Sequence, residues 1–112
     1  MTALISRDDL KAAIDRHEVI VVDALPAVFY DQQHLPGAVN LVESDVVAQA
    51  ARLLPDKHAA IVTYCTNAAC GNSLAVATLL TRLGYTDVRK YRDGIEDWVA
   101  AGLPTESGVA AA

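Results

Sequence analysis

Long apolar runs are absent from this chain. Although 53% of its 112 residues are hydrophobic, they fall in short stretches, none near the roughly 18 residues that a membrane-spanning helix needs. Basic clusters are scarce too. None exceeds Arg89-Lys90 with Arg92 nearby, and the net charge is -5. That argues against nucleic acid as a partner, because a phosphate backbone is held by dense Lys and Arg. It leaves small anions open, since they need only local positive potential. Two cysteines, Cys65 and Cys70, are too few for a disulfide framework. With His17, His34 and His58 they match no zinc spacing. The N-terminus from Met1 to Asp9 lacks the basic-then-apolar pattern of a signal peptide. A cytoplasmic protein, without membrane attachment, is therefore expected. The length suits one domain, able to bury roughly two-thirds of its unfolded surface.

What is present reads as alternating strands and helices. Ser6 can cap a helix from Arg7, with Asp9 placed as in a capping box and Ile5 and Leu10 as a hydrophobic staple. EVIVVD, Glu18 to Asp23, is an almost unbroken apolar run, as in a strand covered on both faces. Pro26 to Gln32 reads as a turn or short helix and Ala38 to Leu41 as a brief strand. Ser44 to Leu54 reads as a helix with Val46, Val47, Ala50 and Leu54 on one side. Ala59 to Tyr64 is a second buried strand. Asn72 to Leu83 is a helix apolar on most sides, closed by Gly84. Asp87 to Tyr91 is a further strand. Gly94 to Ala101 is a last helix, with Ile95, Trp98 and Val99 facing inward. Residues 1–104 then form one domain, and the small, polar stretch from Thr105 to Ala112 is expected to be a disordered tail.

Strands alternating with helices imply a parallel sheet with helices on both faces. Ligands of such sheets sit beyond the carboxyl ends of the strands. Asp23, Cys65 and Tyr91-Arg92-Asp93 converge there. Cys65 follows a strand and precedes a helix, whose unpaired N–H groups and dipole stabilise a thiolate. The alternative is a buried cysteine packed as a small hydrophobe; convergence at the strand ends favours the reactive reading.

Three segments carry a family resemblance. VVDA followed by HLPGAVNL is similar to an apolar strand ending in Asp with a His-Ile-Pro-Gly-Ala motif after it. YC, a loop, Ser73 and an apolar helix ending LGY are similar to an active-site segment. YRDGIEDWVAAGLP is similar to a closing Tyr-x-Gly-Gly-x-x-x-Trp segment. From about Glu18 to Pro104 the chain resembles the single-domain rhodanese-like sulfurtransferases. The resemblance implies a rhodanese-like α/β fold, with a five-stranded parallel sheet and helices on both faces. It also implies Cys65 as nucleophile and Thr66, Asn67, Ala68, Ala69, Cys70, Gly71, Asn72 and Ser73 as the substrate-binding loop. The Cys65 thiolate would take sulfane sulfur from thiosulfate or a persulfide and pass it from a Cys65 persulfide to a thiol or cyanide. Inward-pointing N–H groups would hold the persulfide anion. No metal or organic cofactor is implied.

The loop departs from the family pattern. Ser73 stands eight positions after Cys65, about two more than is common. Asn72 occupies the place often held by Arg, and no Lys or Arg occurs from Cys65 to Thr81. An anionic donor such as thiosulfate loses a natural partner, so a persulfide is the expected better donor. A longer loop marks the phosphatase and arsenate-reductase relatives, but these clamp their oxyanion with an Arg, which is missing. Cys70 reads first as a small loop filler. The other reading is a resolving thiol, making a redox enzyme or sensor with Cys65; a disulfide would need Cα atoms within roughly 7 Å. A non-catalytic rhodanese-like binding module is a third reading, against which the intact Cys65 weighs. Asp23 is a candidate to support the loop, though a local structural bond is the simpler role. Arg92 is a candidate source of positive potential. His34, before Leu-Pro-Gly, is expected to fix a turn, Tyr91 and Trp98 to lie in the core, and His17 and His58 to be exposed.

Overall fold

A computed structural model describes residues 2–108. Its elements are β1 (Ala3–Leu4), α1 (Arg7–Asp15), β2 (Ile20–Asp23), α2 (Ala27–Gln32), β3 (Val39–Asn40), a 3-10 turn (Glu43–Asp45), α3 (Val46–Leu53), β4 (Ile61–Tyr64), α4 (Asn72–Arg82), β5 (Val88–Lys90) and α5 (Gly94–Ala100). The five strands form one sheet in the order β1-β5-β4-β2-β3, with every neighbouring pair parallel. β4 is central and all four of its residues are buried. That is what its continuous apolar pattern predicts for a strand covered on both faces.

Side chains alternate across β4 and feed two cores. Val62 and Tyr64 join Leu10 of α1, Tyr30 of α2 and Trp98 of α5 on one face. Ile61 joins Val46 and Ala50 of α3 and Val76 and Leu80 of α4 on the other. The sheet is thus covered on both sides, as expected. α1 starts where its cap predicts: the Ser6 hydroxyl accepts from the Asp9 N–H at 3.1 Å.

Several expectations are corrected. β1 was not legible: it is two exposed residues whose register beside β5 supplies the strand character. Val47 is 73% exposed and Val99 43%, so neither faces inward. α4 is not apolar on most sides in effect, because Leu74 is exposed and the buried face is Ser73, Val76, Ala77 and Leu80. The expected tail is held down as far as Gly108. His34 and Glu106 exchange backbone hydrogen bonds at 2.9 and 2.8 Å, and the Gly108 N–H donates to Asp31 O at 2.7 Å. The Glu106 carboxylate also accepts from the Gly37 N–H. The remainder of that stretch, residues 109–112, lies outside the described residues.

Candidate active site

Cys65 is the first residue past the central strand. Its backbone is clamped by the start of α5. The Ile95 N–H donates to Cys65 O at 2.9 Å, and the Glu96 N–H to Thr66 O at 3.0 Å. Orphan donors of one helix thereby satisfy loop carbonyls. The approach is close enough to exclude a side chain at Gly94: a Cβ there would fall 2.5 Å from Cys65 O and from Thr66 C and O, at a φ of +70°. Glycine is needed for both reasons.

The rest of the loop curls back on itself. Cys70 N–H donates to Asn67 O at 3.1 Å. The Asn67 side chain accepts from the Ala69 N–H and donates to Glu96, tying the turn to α5. Ala68 and Ala69 are exposed at its tip, while Thr66, Asn67 and Cys70 are half-buried. Gly71 precedes α4 at φ -87°, and no side chain caps that helix. Its first N–H groups are therefore left for the loop. Ser73 is buried, and its carbonyl accepts from the Thr63 hydroxyl at 2.9 Å, which fixes the helix start to β4.

The curl brings both thiols together. Cys65, 2% exposed, has its Sγ 3.3 Å from the Cys70 carbonyl oxygen, to which it donates. Ser73 Oγ lies 3.5 Å from the same sulfur. Burial pushes the Cys65 thiol up, and the Cys70 thiol beside it pushes in the same direction; the Ser73 hydroxyl and N–H oppose them. Burial also pushes the Cys70 thiol up. The Cys65 thiol, the Asn72 and Thr66 N–H groups and the positive charge of Lys90 together outweigh it and hold Cys70 below the ordinary thiol value. Of the two thiols, Cys70, the more accessible sulfur, is therefore held the more acidic. The start of α4 acts on Cys65 as the sequence argument has it, through Ser73, but burial outweighs it.

Lys90 was missed by the sequence reading. It ends β5, pairs in register with Thr63 of β4 and is 9% exposed. Among the described residues it has no side-chain hydrogen bond and no carboxylate at ion-pair distance. The cation absent from the loop thus comes from the neighbouring strand. Alternation along β5 does not reveal it, since a lysine near a strand end ordinarily reads as solvated. Arg92, the sequence candidate for that charge, is exposed and lines a shallow depression with Leu4, Ile5, Ser6 and Asp93.

Asp23 is a strut. Its carboxylate accepts from the Leu25 N–H at 2.8 Å and the Tyr64 hydroxyl at 2.6 Å, and that hydroxyl accepts in turn from the Leu35 N–H. Burial pushes the Asp23 carboxyl up, and these donors and His34 offset part of the rise. Tyr64 belongs to the core on the far side of the sheet from α4, so Asp23 braces β2, β4 and the following loop from that side. His34 is buried, stacks on Tyr30 with ring centroids 3.9 Å apart, and uses Nδ1 on the Tyr30 carbonyl. It fixes the turn before Leu35, as expected.

The rhodanese-like domain family matches residues 6–101, and the chain belongs to that family. It is 33% identical over 104 residues to an HTH-type transcriptional regulator of Mycobacterium tuberculosis, covering 93% of this chain and 45% of the regulator. It is 32% identical over 68 residues to the thiosulfate sulfurtransferase PspE of Escherichia coli, covering 61% of this chain and 62% of that protein. The chain thus spans less than two-thirds of the length of either. Among solved structures it is similar to the BH2092 protein of Bacillus halodurans, with a TM-score of 0.85, 26% identity, and coverage of 95% of this chain and 77% of that one. No helix among the described residues is long and apolar enough to cross a membrane.

Proposed function

We propose that the protein is a sulfurtransferase that carries sulfane sulfur as a Cys65 persulfide. The observation that carries this reading is the Cys65 sulfur at the end of the central strand, under the uncapped start of α4, with Ser73 Oγ 3.5 Å away. As the donor approaches, the Cys65 thiol gives its proton to solvent and Cys65 attacks the outer sulfur. The Cys65–S bond forms as the donor's S–S bond breaks, and the donor leaves as a thiolate, or as sulfite from thiosulfate. The Ser73 and Asn72 N–H groups and Lys90 then face the persulfide anion. An acceptor thiol or cyanide removes the sulfur, and no cofactor takes part. The sulfurtransferase named among the relatives supports the reaction class. The reading places the protein in the cytoplasm, where reduced thiols are available, and gives it no nucleic-acid or membrane partner.

The test is an intact mass after incubation with glutathione persulfide or thiosulfate. One added sulfur is expected on Cys70→Ser, and on wild type either that sulfur or an equivalent of released sulfide; neither is expected of Cys65→Ser. No adduct from either donor, in either the wild type or Cys70→Ser, together with no released sulfide, overturns the reading. The persulfide is expected to load faster than thiosulfate, because the loop from Thr66 to Ser73 itself carries no Lys or Arg.

A second reading is favoured by the regulator among the relatives together with the paired thiols: the same Cys65 chemistry reports the sulfur state of the cell without sustained turnover. Stoichiometric loading with no catalysed transfer to cyanide or glutathione would select it.

A further inference from the structure

Cys70 is more than the filler that its small neighbours suggest. Its sulfur is faced by the Thr66 and Asn72 N–H groups and by Lys90. The turn that places it is pinned at three points: Cys70 N–H to Asn67 O, Ala69 N–H to Asn67 Oδ1, and Asn67 Nδ2 to Glu96 of α5. Cys65 Sγ is already 3.3 Å from the Cys70 main chain. A five-residue separation in an extended segment would carry the two cysteines far apart. Here the curl returns the second thiol to the first.

We propose that Cys70 is a built-in acceptor: it attacks Cys65 Sγ of the persulfide, closes a Cys65–Cys70 disulfide and expels the outer sulfur as hydrosulfide. The inference rests on the Cys65 persulfide reading above. In the step, the Cys70–Cys65 sulfur bond forms and the bond from Cys65 Sγ to the outer sulfur breaks. The proton of the Cys70 thiol leaves on hydrosulfide, so the single negative charge of the persulfide departs with it. Counted from the reduced pair and the sulfane sulfur, two electrons pass from the two thiols to the outer sulfur. A dithiol reductant, such as dithiothreitol in the assay or a protein dithiol in the cell, reopens the disulfide by exchange. The activity that follows is reductive release of sulfide from sulfane sulfur, beside transfer to an external thiol.

Two features make the step favourable. The attacking sulfur is held in place, so the reaction is intramolecular and pays little to bring the partners together. It also lies beside the inner sulfur, because Cys65 Sγ is 3.3 Å from the Cys70 carbonyl oxygen.

The experiment uses the full chain, fully reduced, desalted and kept anaerobic, with one equivalent of glutathione persulfide and no other thiol. Wild type is expected to release close to one equivalent of sulfide above the donor-only control. Its mass should fall by two hydrogens, with tryptic fragments joined through Cys65 and Cys70. Cys70→Ser and Cys70→Ala are expected to keep the added sulfur and to release at least tenfold less sulfide. A wild type that keeps its added sulfur as stably as both variants overturns the inference and leaves the persulfide reading standing. Absence of an adduct in both Cys70 variants, with wild type neither loaded nor oxidised, instead removes the persulfide reading on which the inference rests. Two substitutions of different size, each checked by circular dichroism, separate a chemical role for Cys70 from a loop that fails to fold.

Discussion

At the scale of single residues, the two thiols share one site and pull their proton affinities apart. Burial and Cys70 raise Cys65, whereas Lys90 and the loop N–H groups help to lower Cys70. A thiol reacts with iodoacetamide as its thiolate. Cys70 should therefore be alkylated at a lower pH than a free thiol and Cys65 at a higher one, as read by peptide mapping across a pH series. Removing Cys70 takes away one of the influences that raise Cys65, so Cys70→Ala should move the Cys65 profile to lower pH. Removing the cation in Lys90→Gln should move the Cys70 profile to higher pH. The same change should slow loading from anionic thiosulfate about tenfold, the effect of roughly 1.4 kcal/mol of lost charge stabilisation. An unchanged profile in Lys90→Gln would separate that lysine from the site. Cys65, Cys70 and Ser73 were legible in the sequence because they lie in one short segment. Lys90 was not, because its relation to Cys70 spans twenty positions and exists only through strand pairing.

At the scale of elements, the loop is shaped by the starts of two helices. α4 opens without a side-chain cap and leaves its N–H groups to the sulfurs, and α5 spends its first N–H groups on Cys65 and Thr66 carbonyls. Gly94 permits that contact. Gly94→Ala should cost about 2–4 kcal/mol, from strain at positive φ together with overlap against the loop backbone. Urea unfolding would give the loss of stability. Iodoacetamide reactivity at Cys65 should rise in whatever fraction remains folded, because the clamp on its carbonyl is released. Wild-type stability in Gly94→Ala would show that the backbone shifts aside without cost. The sequence shows Gly94 as part of a family-like motif, but not the loop carbonyls that it faces.

For the whole molecule, the parallel sheet gathers the carboxyl ends of β2, β4 and β5 at one end, and that end carries the candidate site. The other determinant of overall stability is the return of the chain after α5. Trp98 Nε1 donates to Pro104 O at 2.7 Å, and Glu106 pairs with His34 and caps the Gly37 N–H. Ending the chain after Pro104 should remove about 1–2 kcal/mol, since buried His34 loses its backbone partners. Thermal unfolding should show a fall of several degrees in Tm, with Cys65 persulfide loading unchanged in the folded protein. No change in Tm would mean that water replaces those bonds at no cost.

The amino-acid sequence by itself determined the order of strands and helices from α1 onward, their burial on two faces, and a cysteine at the end of the most buried strand. Those features follow from local periodicity and from composition over a few residues, where side-chain burial and backbone bonding agree. Tertiary structure alone decided which strand joins each edge, which cation reaches the loop, and which thiol is the more acidic. Each of these depends on contacts between segments remote in the chain, where the partner sets the role of a residue. Lys90 is a surface-like lysine until β5 lies beside β4, and Cys70 is a small loop residue until the turn at Asn67 returns it to Cys65.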